Sequence, residues 1–419
     1  MLRDGTRRRA IWLLNWLGLL VLLGWAIRLE VTEGYLYPLP NNFPGDFSNA
    51  VHLEAWDGHG LFYGPIFVLE WALLLNPGRI SIVGLARVDY LLFVVAFVCT
   101  WLALFKRWQP RLLLLVLALW LANHATVALF ASAQHLEALE LALFAIGALL
   151  MQRGRQLSSG ASLGLAIATK TLPLVLLPYL AVMCKWRALL AAAVVSGVVF
   201  VATCVYQGTS LVEGAVQLLF EGPNLTKAKA TAEEYSLRAF FIRLLSGGSD
   251  ASASPQATEL AFALHAAIAV AVVLIAGYVL WRCRARGKGL ILAFGVVEAT
   301  LLVVTPSSHI HYFVFLLPAW TAVLAELVQH RLDRRGGALW AALILSYVLV
   351  GFDQPFILLQ RVLGVGEIVL AHWVDLNPLG LLLAFVATSG TLWTFYGTRR
   401  TREVEVEVPL RDRTIAALA

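Results

Sequence analysis

The side chains best suited to do chemistry in this chain are carboxylates and a few cations gathered at the edges of apolar runs. Asp46 sits in Phe43-Pro44-Gly45-Asp46-Phe47, shortly after an apolar run that ends near Leu29, and Glu54 and Asp57 follow in the same segment. A carboxylate there can take a proton from a hydroxyl within hydrogen-bond reach, or it can cap a helix that starts just after Pro-Gly. Glu54 and Asp57 read as solvated or ion-paired neighbours, and His52 and His59 have no clear metal-ligand spacing.

Further along, Lys170 lies in Ala168-Thr169-Lys170-Thr171-Leu172-Pro173 between apolar stretches. A lysine so placed needs an anion, which either a phosphate or an acidic side chain supplies. Gln134-His135 stands between two apolar runs, where it binds a sugar hydroxyl or closes the turn. His309 and His311 lie in Thr305-Pro306-Ser307-Ser308-His309-Ile310-His311-Tyr312, at another junction of apolar runs. Each is a ligand contact or a satisfied neutral imidazole.

The elements that position these residues must be membrane helices. Of 419 residues, 60% are hydrophobic and 14% charged, and the mean hydropathy is +0.77, which excludes an ordinary soluble domain. Ile11–Leu29, Val83–Phe105 and Leu260–Leu280 are long enough to cross a hydrocarbon core of about 30 Å. Arg3, Arg7, Arg8 and Arg9 precede the first of these, and no small-residue cleavage site follows it, so a retained signal-anchor helix is expected. The four cysteines lie in or beside apolar runs without metal-type spacing, which points away from structural disulfides and zinc. The net charge of +6 does not imply nucleic acid, because the basic residues cluster in short loops.

Those clusters (Lys106/Arg107/Arg111, Arg153/Arg155, Lys185/Arg187, Arg282 to Lys288, Arg331 to Arg335, Arg399 to Arg402) act as a ruler. About 23 of the 32 Lys and Arg fall on one side if an even number of crossings separates neighbouring clusters. Ser158–Cys184 is the deciding stretch. As one helix it would run about 40 Å with Lys170 buried in its middle. As two short helices meeting at Lys170–Pro173 it keeps the ruler intact, and Pro173 favours the break. Arg111–Leu121 and Leu136–Met151 read as a similar pair, with Leu61–Leu75 as a re-entrant or interfacial segment.

The expectation is an all-α polytopic protein of about twelve crossings, several short or re-entrant, with a polar cavity open to the outer side. A membrane domain over 1–402 would carry outer loops at about 30–82 and 207–258, followed by a short cytoplasmic tail at 403–419. Both termini would be cytoplasmic. The outer face would collect Asp46, His52, Glu54, Asp57, His59, Gln134, His135, Glu137, Glu140, Lys170, His309, His311, Asp353 and Asp375.

Taken in order, Gly45-Asp46-Phe47, Phe62-Tyr63-Gly64-Pro65, Gln134-His135, Gly164–Pro173 and Pro306–Pro318 resemble segments of the polyprenol-phosphate-mannose-dependent α-1,2-mannosyltransferases. These are GT-C glycosyltransferases of bacterial envelopes. The resemblance spans most of the membrane portion through short motifs. Two departures bear on substrate: Ala133 stands where a glycine would precede the glutamine, and the stretch from Asp46 to Pro65 is contracted.

The resemblance implies a GT-C-type bundle in the bacterial inner membrane with its active site outside. The donor would be a polyprenyl-phosphate mannose and the acceptor a glycan or glycolipid. Asp46 would be the general base of an inverting transfer, while Lys170 and His311 would hold the donor phosphate. Arg238, Arg243, Glu54, Asp57, Gln134, His135 and His309 are further candidate substrate contacts. No cofactor and no metal site is expected, and dependence on a divalent ion stays open. A polyprenyl-phosphate arabinose or glucose donor, a ligase moving whole glycans, and a lipid or solute transporter remain alternatives. For the transporter, Glu298 and Glu326 are the intramembrane acids to consider.

Overall fold

A computed structural model describes residues 82–105, 110–123, 135–170, 172–220, 235–246, 254–283, 289–306, 308–329, 334–351 and 376–397, with a few isolated positions besides. The described residues are helical. In chain order they form α1 (Ile82–Leu104), α2 (Pro110–Leu121), α3 (His135–Gln152) and α4 (Gln156–Thr169). A 3₁₀ turn, Leu172–Val175, leads into α5 (Leu176–Val182), and then come α6 (Trp186–Gln207), α7 (Leu211–Phe220) and α8 (Leu237–Leu245). α9 (Pro255–Cys283) and α10 (Gly289–Val304) precede a second 3₁₀ turn, Ile310–Phe315, which opens into α11 (Leu316–Gln329). α12 (Arg334–Gly351) and α13 (Asn377–Leu392) complete the described set. Of the first apolar run, residues 12, 13, 16–21 and 24 are described and are helical; the segment holding Asp46, His52, Glu54, Asp57 and His59, nearly all of Leu61–Leu75, Gln134, Asp353, Asp375 and the tail lie outside the described residues.

Four spans are long and apolar enough to cross a bilayer: Trp186–Gln207, Pro255–Cys283, Ile310–Gln329 and Asn377–Gly397. Four shorter apolar helices accompany them, Val88–Leu104, Leu112–Leu121, Gly289–Val304 and Arg335–Gly351. The molecule is thus a membrane protein whose described crossings fall short of the expected twelve. Burial sorts the long spans: 89% of the Ile310–Gln329 window is buried against 22% for Trp186–Gln207. The first is therefore the axis of the bundle, and the second is a lipid-facing wall.

The break expected near Lys170 is present. α4 ends at Thr169 and Lys170 is extended (φ −144°, ψ 157°). Pro173 disfavours helical backbone at the residue before it and has no N–H to donate. Eleven residues of 3₁₀ turn and short helix then carry the chain back, because α6 starts beside the start of α4. A Cβ on Gly160 would lie 2.2 Å from the Ala188 carbonyl oxygen, and one on Gly164 would lie 2.6 Å from that of Ala192. The four-residue spacing on both helices means that α4 and α6 run parallel at backbone contact. Only small residues permit this approach, and lipid-embedded helices use it because hydrophobic burial does not discriminate between helix and lipid.

α3 and α4 form the antiparallel hairpin expected at Arg153–Arg155, where Gly154 takes the positive φ of 77° that closes the turn. Ser159 Oγ donates to the Gly147 carbonyl (2.7 Å) and Ser162 Oγ to that of Leu143 (2.8 Å). These bonds fix the register of the pair. At the bundle axis, Trp120 Nε1 donates to Thr321 Oγ1 (2.8 Å), Trp320 Nε1 to Ser346 Oγ (3.1 Å), and Tyr347 OH to the Leu119 carbonyl (2.9 Å). Indole and phenol groups find polar partners inside an apolar core, which locks α2, α11 and α12 together.

Gly160→Val should force α4 away from α6 and cost about 1–3 kcal/mol, seen as a lower apparent Tm in detergent. Gly197→Ala on α6, where an added Cβ meets nothing within 4 Å, should leave Tm unchanged or slightly raised. Equal losses for both would contradict backbone contact at Gly160.

Candidate functional site

The register set by Ser159 and Ser162, continued along the hairpin, brings the end of α4 opposite the start of α3. Lys170 Nζ there forms an ion pair with Glu137 Oε1, and the same oxygen lies 3.5 Å from His311 Nε2. Lys170 also sits 3.5 Å from Tyr312 OH and 4.8 Å from the centre of the Tyr312 ring. Three elements meet at this point: the first turn of α3, the break after α4, and the 3₁₀ turn before α11. Helix-start geometry suits a carboxylate, since the unsatisfied N–H groups of the first turn favour negative charge.

The exposure of the three groups is unequal, and the inequality decides what a ligand would meet. Glu137 is fully buried, whereas the Lys170 and His311 side chains are 14% and 13% exposed. These two basic side chains form the rim and the carboxylate lies beneath them. The rim is braced by rings: His311 stands edge-on to Tyr312 at 4.6 Å and stacks on His309 at 5.5 Å. Tyr235 N donates to the Ser308 carbonyl at 2.7 Å, tying the start of α8 to the strand-like stretch before His309. Ser236 caps α8 by accepting from Ala239 N.

One turn deeper on α3, Glu140 is also fully buried, and neither of its oxygens has a hydrogen-bond partner among the described residues. Glu298 on α10 is 3% exposed, within electrostatic reach of Glu140, and one of its oxygens is likewise unpartnered. Glu298 and Thr100 line a cavity of about the size of one water molecule. That space has no room for a sugar.

The expected phosphate-binding pair, Lys170 and His311, therefore meets in space, and His309 joins it through ring stacking. Lys170 has an acidic side chain for its anion. Arg238 is on α8 with its guanidinium 5.7 Å from the centre of the Phe262 ring on α9, and Arg243 is buried at the far end of the same helix. His135 begins α3, two residues before Glu137. Asp46, Glu54, Asp57 and Gln134 lie outside the described residues. Glu326, the second intramembrane acid, accepts a hydrogen bond from Tyr396 OH at 2.8 Å, which gives it a structural role. Among the described residues, no group of three His, Cys, Asp or Glu side chains could hold a metal ion.

Glu137 is the residue that reading the sequence left without a role. The only signal for it was a glutamate at the start of an apolar helix, and without the hairpin register that does not single out Lys170 as its partner. Lys170→Met should strand a buried carboxylate and cost about 3–5 kcal/mol. The double variant Lys170→Met/Glu137→Leu should recover most of that loss in detergent melts. Additive losses would contradict the pairing.

Compared with known proteins, the model of glycosyltransferase family 87 matches residues 61–306, more than half of the chain. No curated protein and no solved structure matches it.

Proposed function

The chain belongs to glycosyltransferase family 87, and from that membership we propose that it transfers a mannosyl or related residue from a polyprenyl-phosphate sugar to a glycan or glycolipid. The reaction takes place at the outer side of a bacterial inner membrane. The observation that carries this reading is the rim itself. Two partly exposed cationic side chains, Lys170 and His311, converge on one buried carboxylate at the meeting of three broken helical elements.

In the proposed reaction the acceptor hydroxyl oxygen attacks the anomeric carbon from the face opposite the phosphate, so configuration inverts. The new oxygen–carbon bond forms as the bond from the anomeric carbon to the phosphate oxygen breaks. That electron pair leaves with polyprenyl phosphate. Asp46 accepts the hydroxyl proton. The leaving group gains negative charge as it departs, and fixed cations in a partly dehydrated site stabilise that change without a proton donor. Lys170 supplies a compact charge, and a ring N–H of His311 can donate a hydrogen bond to the phosphate. His309, Arg238, Gln134, His135, Glu54 and Asp57 are proposed to line the sugar and acceptor sides. The interrupted helices suit a donor whose tail stays in lipid while its headgroup enters from the side. Arabinose or glucose on the same carrier would use the same phosphate contacts.

Purified protein given radiolabelled polyprenyl-phosphate mannose and envelope lipids should form a new labelled lipid; label remaining on the donor would favour transport. Asp46→Asn should lower transfer by about 10²–10⁴-fold with insertion and folding intact, and normal turnover would remove the base assignment. Lys170→Ala and His311→Ala should each weaken donor use by roughly 10–100-fold, the worth of a hydrogen bond to a charged group. Wild-type donor dependence in both would sink the phosphate site.

A further inference from the structure

Three buried carboxyl groups descend from the rim, and among the described residues the first is the one in direct contact with a cation. Glu137 faces Lys170 and His311, Glu140 lies one turn deeper with both oxygens unpartnered among the described residues, and Glu298 approaches from α10. A buried carboxylate with neither counter-ion nor hydrogen bond costs several kcal/mol, and such a group keeps its proton instead. Of the three, Glu137 is the carboxyl group whose negative charge lies in contact with a cationic side chain.

A phosphate diester arriving at the rim competes for that arrangement. Its charge and the Glu137 charge both seek the Lys170 ammonium. Ligand and ammonium can approach closely only as Glu137 gives up part of its hold, and a fully buried carboxylate cannot turn to water for compensation. We infer that docking of the anionic donor at Lys170 is coupled to uptake of one proton by Glu137. The step is balanced: the carboxylate takes a proton from the outer aqueous phase and becomes a carboxylic acid, while the diester brings one negative charge. The net charge of the site is unchanged by binding. This inference rests on the phosphate-site reading given above.

The groups around Glu137 limit where the proton can go. On α3 itself there is Glu140, with His135 at the helix start. The end of α4 supplies Lys170. The 3₁₀ turn before α11 supplies His309, His311 and Tyr312. α10 contributes Glu298, and α1, packed along α3, carries Asp89, Tyr90 and Cys99. Of these, His311 is the competing acceptor, because its Nε2 lies beside the same Glu137 oxygen.

The test uses the whole protein in lipid nanodiscs and a polyprenyl methyl phosphate, a diester whose own charge does not titrate near neutral pH. Binding is followed by calorimetry in buffers of different ionisation enthalpy, which counts protons exchanged per ligand. About one proton should be taken up by the wild type, and uptake should vanish in Glu137→Gln while binding persists. In Glu140→Gln it should be retained. Affinity in the wild type should fall as pH rises, approaching tenfold per pH unit where a full proton is bound. That series decides the matter even if Glu137→Gln does not fold. Binding without proton exchange and with a flat pH profile would overturn the inference and leave the phosphate site standing. Uptake that survives Glu137→Gln would assign the proton to His311 or another group and also overturn it. No binding of the diester at all would remove the phosphate site, and the inference with it.

Discussion

The organisation of this molecule depends on one ion pair held at a fixed depth, Glu137 with Lys170. Its position is not set by the two charges. It follows from hydroxyl bonds that fix the α3–α4 register and from glycines that press α4 onto α6. Charges at the edge of a hydrocarbon layer are costly to misplace. Rigid small-residue contacts are a means of placing them without adding further polar groups. The break at Lys170 then frees that side chain from the helix so that it can turn toward the rim.

Because the carboxylate is wholly buried and the cations are not, the rim presents positive charge over a hidden negative one. A site of this kind selects anions of limited charge. In the proposed reaction it would attract a phosphate diester, with the buried counter-charge tempering its pull on other anions. Tyr312, whose ring lies against Lys170 and His311, adds an aromatic wall suited to a prenyl chain or a sugar face. The family match supplies the class of chemistry, glycosyl transfer, and the rim is the part of the described structure where that chemistry finds charge.

Much of the architecture was legible in the sequence because membrane helices announce themselves. Apolar runs marked α1 and α9, the basic clusters marked the hairpin at Gly154, and Pro173 marked the break at Lys170. The meeting of Lys170 and His311 was legible from ordered motifs. The partner of Lys170 was not, because Glu137 lies 33 residues away and pairing across a hairpin depends on a register that hydrophobicity does not encode. Two serine hydroxyls and a glycine turn set that register, and such residues carry little individual signal. The small-residue faces of α4 and α6 were equally quiet, since glycine and alanine in an apolar run read as generic membrane helix.

The most direct measurement is a cryo-electron microscopy structure of the full chain in nanodiscs with polyprenyl phosphate bound. The account predicts phosphate density within hydrogen-bond reach of Lys170 Nζ and His311, with the prenyl chain running out between helices into lipid. Phosphate density at a separate site, with the Lys170–Glu137 pair closed and unchanged, would contradict it.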